Sequence, residues 1–460
     1  MSALNLRSHE CFDKDGKRSR RSASTSEKTT PSDELIVHEW GTFTTFSGSD
    51  GVKLDYRPLL DEDLPTFVLD RFLQSGFPTF TKSSIRSRVR METPATYFYT
   101  ERERDVNVKV AFPEGLLTEF YPPVAKLAPN YAPGEKPTIK NSLLDWGKVH
   151  LIPTNRFVAN VDNAEYRQFL ESRMLHGLIP PEQYQHNHYF HARETDSALV
   201  HVRLEKPNPK EPFSKKANVL NALRPTGNFF EKFLFYRGVG NFNLPLQLTS
   251  HGSGQFELHN SGTDRIGSMF LVEVDGKDIR FAVYDGIDAN SKLALSQSTE
   301  KSDINALSIA VTKSLVAEGL YEKEALAMVK TWKESWFGEQ GTRLFYMVPA
   351  RLTDEILPLE ISPRPDETIR VLVGRMEIMT KEDEQKMIEL VRTSSKRRQD
   401  DIKAAKKAGK RPTYKLPKEL TRWGRLAEPA LVRVRATTAD PQVRSEAKYL
   451  LSRFKPKAEG

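Results

Sequence analysis

The sequence predicts a mainly β chain with α (α+β): an antiparallel, β-sandwich-like body with a helical hairpin insert, followed by a C-terminal helical tail. Three observations predict it. Short runs rich in β-branched and aromatic residues recur between 35 and 379, separated by Gly, Pro and Asn clusters and without regular helices between them. One block, 303–337, places apolar residues at helical spacing instead. Beyond 379 the chain becomes highly charged and helix-forming. A chain of 460 residues that is 38% hydrophobic has enough apolar material for a sizeable core, and its length allows two or three domains.

Residues 1–34 are polar, small and charged, as in SRRSASTSEKTTPSDE, and read as a disordered arm. The pair Arg20, Arg21 is followed by no apolar stretch, so no secretory signal is expected. The default compartment is then the cytoplasm; a mis-assigned start would be needed to make the protein exported. Order should begin with LIVHEWGTFTTF, a strand by composition. SGSDG supplies a turn, and VKLDYRPLL is expected to pair back as its hairpin partner. SRVRMETP, ATYFYT (95–100), VNVKVAF (106–112), KVHLIP (148–153), ALVHVRLE (198–205) and KFLFYRG (232–238) continue the series. PLQLTS (245–250), QFELHN (255–260), MFLVEVDG (269–276), DIRFAVYD (278–285), RLFYMVPAR (343–351) and TIRVLVGRMEI (368–378) complete it.

In the helical block Asp303 is the expected N-cap of 304–318, with Ile304, Leu307, Val311 and Leu315 on one face and Gly319 as the stop. A second helix, 322–337, aligns Ala325, Met328, Val329, Trp332 and Trp336. This aromatic stripe reads as core. The stretch 380–415 reads as a charged helix and linker, and 416–457 as a helical module. There Asp440 and Pro441 form a helix start, and Val443, Ala447, Leu450, Leu451 and Phe454 form a buried stripe. The pattern LAEPALVRV…DPQVRSEAKYLL is that of a single HEAT-type repeat. One helix pair cannot build a solenoid, so it should dock on the body or offer its stripe to a protein partner.

Charge and composition exclude several classes. No run of eighteen apolar residues exists, which argues against a membrane-spanning helix. The single cysteine, Cys11, excludes an internal disulfide framework and a multi-cysteine metal site. The net charge of +8 is matched by 395–418 alone, where ten Lys/Arg meet two Asp. The basic character thus belongs to one segment, best read as solvated linker, and nucleic acid is not an expected partner.

A set of short blocks then points to a resemblance. His38-Glu39-Trp40-Gly41-Thr42-Phe43-Thr44, Arg90-Met91-Glu92-Thr93-Pro94, Ala192-Arg193-Glu194-Thr195-Asp196 and Phe235-Tyr236-Arg237-Gly238-Val239-Gly240 lead it. Gly319-Leu320-Tyr321, Glu334-Ser335-Trp336-Phe337 and Val373-Gly374-Arg375 complete it. Together they resemble an uncharacterised bacterial protein family, over 35–380 and the HEAT-like tail. The resemblance implies no activity and no catalytic residue. It implies export for many members, from which this N-terminus departs.

Candidate site residues follow from chemistry. Six of the ten histidines lie between 186 and 259, densest in QHNHYFHARETD. If that segment is extended, His186 and His188 share a face and could offer two imidazoles to a divalent metal, with His191, Glu194, Asp196, His201 or His38 as further ligands. The opposing reading is ordinary hydrogen-bonding histidines. Glu194 and Asp196 on one strand could act as general acid and base, or simply pair with arginines. Arg88, Arg90 and Glu92 share a face against Val89 and Met91. Arg88 or Arg90 could pair with Glu194 or Asp196, or bind an anion. Arg193 and Arg237 are further binding candidates. His38 and Trp40 share a strand face, as a cleft wall or as core. Gly238 and Gly240 lack the rest of a dinucleotide signature.

Two functions remain in view. One is a non-catalytic binding or scaffold protein with an arginine- and aromatic-lined cleft. The alternative is a metal-assisted hydrolase using the His-x-His pair on a polar, carbohydrate-like substrate.

Overall fold

A computed structural model describes residues 32–59, 64–65, 67–72, 85–131, 135–153, 188–205, 225–413 and 416–454. Most of the expected disordered arm, with Cys11, therefore lies outside the described residues, as do His186 and the side chain of His188.

The first nine described strands are β1 (Leu35–Ser47), β2 (Leu69–Asp70), β3 (Val89–Thr100), β4 (Arg104–Phe112), β5 (Gly115–Tyr121), β6 (Lys126–Ala128), β7 (Ser142–Ile152), β8 (Leu199–Leu204) and β9 (Gly227–Glu231). The remainder are β10 (Leu234–Gly240), β11 (Leu246–Gly252), β12 (Gln255–Asn260), β13 (Met269–Asp275), β14 (Asp278–Tyr284), β15 (Ser291–Ser296), β16 (Gly341–Val348), β17 (Leu359–Ser362) and β18 (Glu367–Ile378). The helices are α1 (His188–His191), α2 (Ile304–Ala317), α3 (Glu322–Lys333), α4 (Ala350–Ile356), α5 (Lys381–Lys407), α6 (Ala427–Thr437) and α7 (Pro441–Arg453). A π-turn, Glu334–Gly338, extends α3, and a 3-10 segment, Lys418–Leu426, leads into α6.

The expected α+β class with antiparallel sheets is what the chain adopts. A large sheet runs β14-β13-β16-β18-β1-β3-β10-β5-β2. A second runs β17-β4-β7-β8-β9, with β6 also on β7, and a third runs β11-β12-β15. The described pairings are antiparallel except one: β1 and β18 run parallel at the centre of the large sheet. Alternation along β1 explains the layers. Leu35, Val37 and Phe43 enter a core between the large sheet and the two smaller ones, which also holds Val108, Trp146, Val200, Leu248 and Leu258. Trp40 faces the other way, into a second core closed by α2, α3 and the π-turn through Leu307, Val311, Met328, Trp332 and Trp336. Phe46, near the end of the strand, enters a third core shared with α5, α6 and α7.

Local signals are realised at the helix ends. Asp303 accepts from the N–H groups of Asn305 and Ala306 at the start of α2, and Asp440 from those of Gln442 and Val443 at the start of α7. One expectation fails, and two open readings are decided. VKLDYRPLL forms no strand beside β1, whose two edges are taken by β3 and β18. Only isolated bridges form there, and Leu54 and Tyr56 turn instead into the third core. The described part of that histidine segment, 188–196, is not extended: α1 is a helical turn followed by turns, with Tyr189 buried among Phe67, Phe233 and Phe235. Of the two places offered for the apolar stripe of α7, the body takes it: Val443, Ala447, Leu450 and Phe454 are buried in the third core with Phe46, Tyr56 and Met379.

Gly374 stands opposite Tyr346 across β18 and β16. A Cβ added there would meet the tyrosine ring at 2.1 Å, so the ring lies over the glycine. Gly374→Ala should therefore lower unfolding free energy by about 1–3 kcal/mol through overpacking in a urea titration. An unchanged midpoint would contradict that packing.

Candidate functional site

The described candidate residues fall in several separate places. His38 and Trp40 are fully buried in the helix-side core. His38 Nδ1 lies 2.5 Å from Glu324 Oε2, under the rings of Tyr99 and Tyr321 at 5.2 and 4.5 Å. Glu324 also accepts from the Tyr321 N–H at 3.1 Å, so this pair ties β1 to the first turn of α3. Trp40 stacks on Tyr97. Arg88 is half-buried, 3.9 Å from Asp55. Arg193 forms a bidentate pair with Glu231 at 2.8 and 2.6 Å, and Tyr189 donates to the same carboxylate at 3.0 Å. That fork is structural in form: both partners are buried beneath aromatic rings.

The carboxylates offered for acid–base work are engaged elsewhere. Glu194 meets His191 at 2.9 Å and Lys330; Asp196 meets Lys323 at 2.7 Å. Burial tends to raise the Glu194 carboxyl, yet hydrogen bonds from Lys330 and His191 hold it below its ordinary value. Among the described residues no three His, Cys, Asp or Glu are grouped to hold a metal ion.

What the strands do assemble is a belt of buried charge on the helix-bearing face of the large sheet. The registers set it. Arg343 lies opposite Glu377, Arg375 opposite Thr44, Thr44 opposite Arg90, and Arg237 opposite Glu119. Arg375 donates to Glu377 at 2.6 Å and to Glu339, just after the π-turn, at 2.6 Å. Arg343 donates to Glu377 and to the carbonyls of Trp336, Glu339 and Gln340. Glu92 accepts from Thr44 at 2.9 Å and lies 3.1 Å from Arg90. From the helical module Arg425 reaches in, 3.0 Å from Glu92 and 3.1 Å from Glu339. Burial alone would raise the Glu92 carboxyl. The guanidiniums of Arg90, Arg425, Arg375 and Arg237 outweigh it and hold the group down to about 2. Glu339 is held to about 2 in the same way, against burial, by Arg425, Arg375 and Arg343.

Arg425 can reach the belt because the chain breaks at Gly424. Its φ of 47° and ψ of −129° lie outside the helical region and suit glycine. On the far side of that break, Arg422 and Trp423 line a cleft between body and module, with a volume of about 660 Å³. The body supplies Glu273, Asp275, Gln297, Gln340 and Thr342; α5 supplies Glu382, Asp383 and Lys386. A narrower cleft opens on the same seam, where Arg57, Arg90 and Arg425 meet Phe46, Tyr56 and Phe454.

Sequence reasoning missed this seam. The run Arg422-Trp423-Gly424-Arg425 was the available signal, a glycine with a cation on each side of it. It also missed two lysines. Burial pushes Lys232 down to about 8 and Lys53, helped by Arg88, to about 8. Lys232 donates to the Ser197 carbonyl, and Lys53 to that of Leu244.

No protein-family model matches the chain, and no curated protein matches it significantly. Among solved structures, the yeast delta-COP-I mu-homology domain is similar at TM-score 0.23 and 7% identity, covering 76% of this chain and 97% of that one. The same domain complexed with Dsl1 WxWxV peptide gives the same values. A likeness of this size carries no inference about the present chain.

The lowered carboxyl of Glu92 makes a pH prediction. A group whose folded value lies below its unfolded one adds stability above the unfolded value, here 4.5, and loses it as pH falls toward about 2. Unfolding free energy should fall across that window, by roughly 3 kcal/mol from Glu92 alone at 1.36 kcal/mol per unit. Glu92→Gln should flatten the slope of stability against pH there; an unaltered slope would show that Glu92 does not titrate with folding.

Proposed function

We propose that the chain is a non-catalytic binding protein whose ligand site is the seam between the β body and the helical module. One observation carries this reading. The seam holds a cleft of about 660 Å³, with one wall from the body and the other from Arg422, Trp423 and Leu426 of the module. That volume falls within the range of small-molecule sites, roughly 300–1,000 Å³. Its lining sets the flat face of Trp423 among Arg422, Gln297, Thr342 and carboxylates, and the narrower cleft on the same seam adds Arg57, Arg90, Phe46, Tyr56 and Phe454; such surfaces recognise ligands by flat apolar contact and fixed polar groups. The non-catalytic part is supported by Glu194 and Asp196, each held by a lysine. The hydrolase reading draws no support from the described residues, where the metal ligands it needs do not assemble.

The tryptophans make the seam measurable. Trp40, Trp146, Trp332 and Trp336 are each at most 1% exposed, whereas Trp423 is half-buried on the cleft wall. Acrylamide-quenchable emission should therefore come from Trp423 and vanish in Trp423→Phe. Hydrogen–deuterium exchange of the whole chain with a fragment library of carboxylates, amines, sugars and short peptides then tests the site. At least one class should protect residues near 254, 341 and 423 together. Protection confined to other regions, or none from any class, would refute the seam as the ligand site.

A further inference from the structure

We propose that the ligand of the large seam cleft is a neutral saccharide, a deduction that rests on the seam being the binding site. The first argument is charge. Four carboxylates and two cations line the cleft, but most are already committed. Glu273 pairs with Arg280, Glu382 accepts from the Ser253 N–H, and Asp383 caps α5 by accepting from the Thr380 N–H. Lys386 lies beside Asp383. This leaves Asp275 and Arg422, both exposed, and the charge of Glu382, which a backbone N–H satisfies without neutralising, so carboxylates outnumber cations. An anionic ligand would meet that surplus at a like-charge cost. A neutral ligand with hydroxyl donors meets no such cost, and the carboxylates can accept from it.

The second argument is hydrogen-bonding sense. Asp275 offers only acceptors and Arg422 only donors, while Gln297 and Thr342 offer both. Gln297 spends its amide N–H on the Thr342 oxygen at 3.2 Å, which keeps the threonine proton and the glutamine carbonyl for a ligand. A ligand suited to this wall must donate and accept from closely spaced atoms, as adjacent sugar hydroxyls do. The third argument is the flat apolar surface. Trp423 packs at the edge of the third core and lines the cleft, with Val274 and Leu426 beside it. A pyranose ring has an apolar C–H face that fits an indole, with its hydroxyls directed outward to polar groups. An aliphatic ligand would leave those polar groups unsatisfied.

The test uses the full chain with four probes: maltohexaose, cellohexaose, chitohexaose and xylohexaose, followed by Trp423 emission and titration calorimetry. At least one hexaose should bind. Trp423→Ala should weaken it tenfold or more, and Asp275→Asn several-fold. Asp275 is exposed, so its variant keeps the test meaningful if Trp423→Ala misfolds. If no hexaose binds while another fragment class protects the cleft in hydrogen exchange, the seam reading stands and the saccharide assignment falls. If a hexaose binds with affinity unchanged in Asp275→Asn and in a folded Trp423→Ala, the sugar sits elsewhere and the assignment also falls.

Discussion

Arg343, Arg375, Arg90 and Arg237 lie inside the protein, and a guanidinium taken out of water needs a carboxylate or carbonyl to meet it. Much of the architecture follows from that requirement. The large sheet places Arg375 and Glu377 on β18 next to Thr44 on β1, and β3 brings Arg90 and Glu92 to the other side of β1. A slip of one residue in any of these pairings would turn the charges into the sandwich core. The belt therefore acts as a register lock. Its net gain over a hydrophobic packing of the same volume is small, but a broken pairing leaves a buried charge uncompensated, which is costly.

The same lock explains why the helical module sits where it does. Its apolar stripe would pack on many surfaces, but Arg425 fits where Glu92 and Glu339 wait together. The module's residues are therefore placed from two directions: Phe46, Tyr56 and Met379 bury the stripe, and the belt fixes its orientation. Gly424 lets adjacent residues serve opposite ends. Arg425 turns inward to the charges, and Arg422 and Trp423 line the seam. A cleft built between two packed parts, rather than within one, is a natural place for a ligand to sense both.

A second buried ion pair repeats the principle on the sandwich side. Glu39 receives both arms of Arg370 across the parallel β1–β18 pair, together with Thr96 and Tyr236. His38, one residue earlier, points to the helices and meets Glu324. Neighbouring residues of one strand thus fasten two different layers, which accounts for polar residues in a strand that is almost wholly buried.

Much of the fold was legible in the sequence because it depends on local rules. Alternation separated Val89 and Met91 from Arg90 and Glu92, helical spacing marked 304–318 and 322–337, and Asp303 and Asp440 declared the caps. What was misread depended on distant chain. VKLDYRPLL looked like the partner of β1 because hairpins join neighbours, yet β18, some 330 residues away, had taken that edge. Local composition left open whether the segment after His188 is extended, and it is the aromatic core that turns Tyr189 inward. By itself the sequence determined which residues alternate, where helices begin and which side chains leave water. Only the tertiary structure decided which buried charges meet and where the seam opens, because those pairings link residues separated by hundreds of positions, and no local preference selects among such partners.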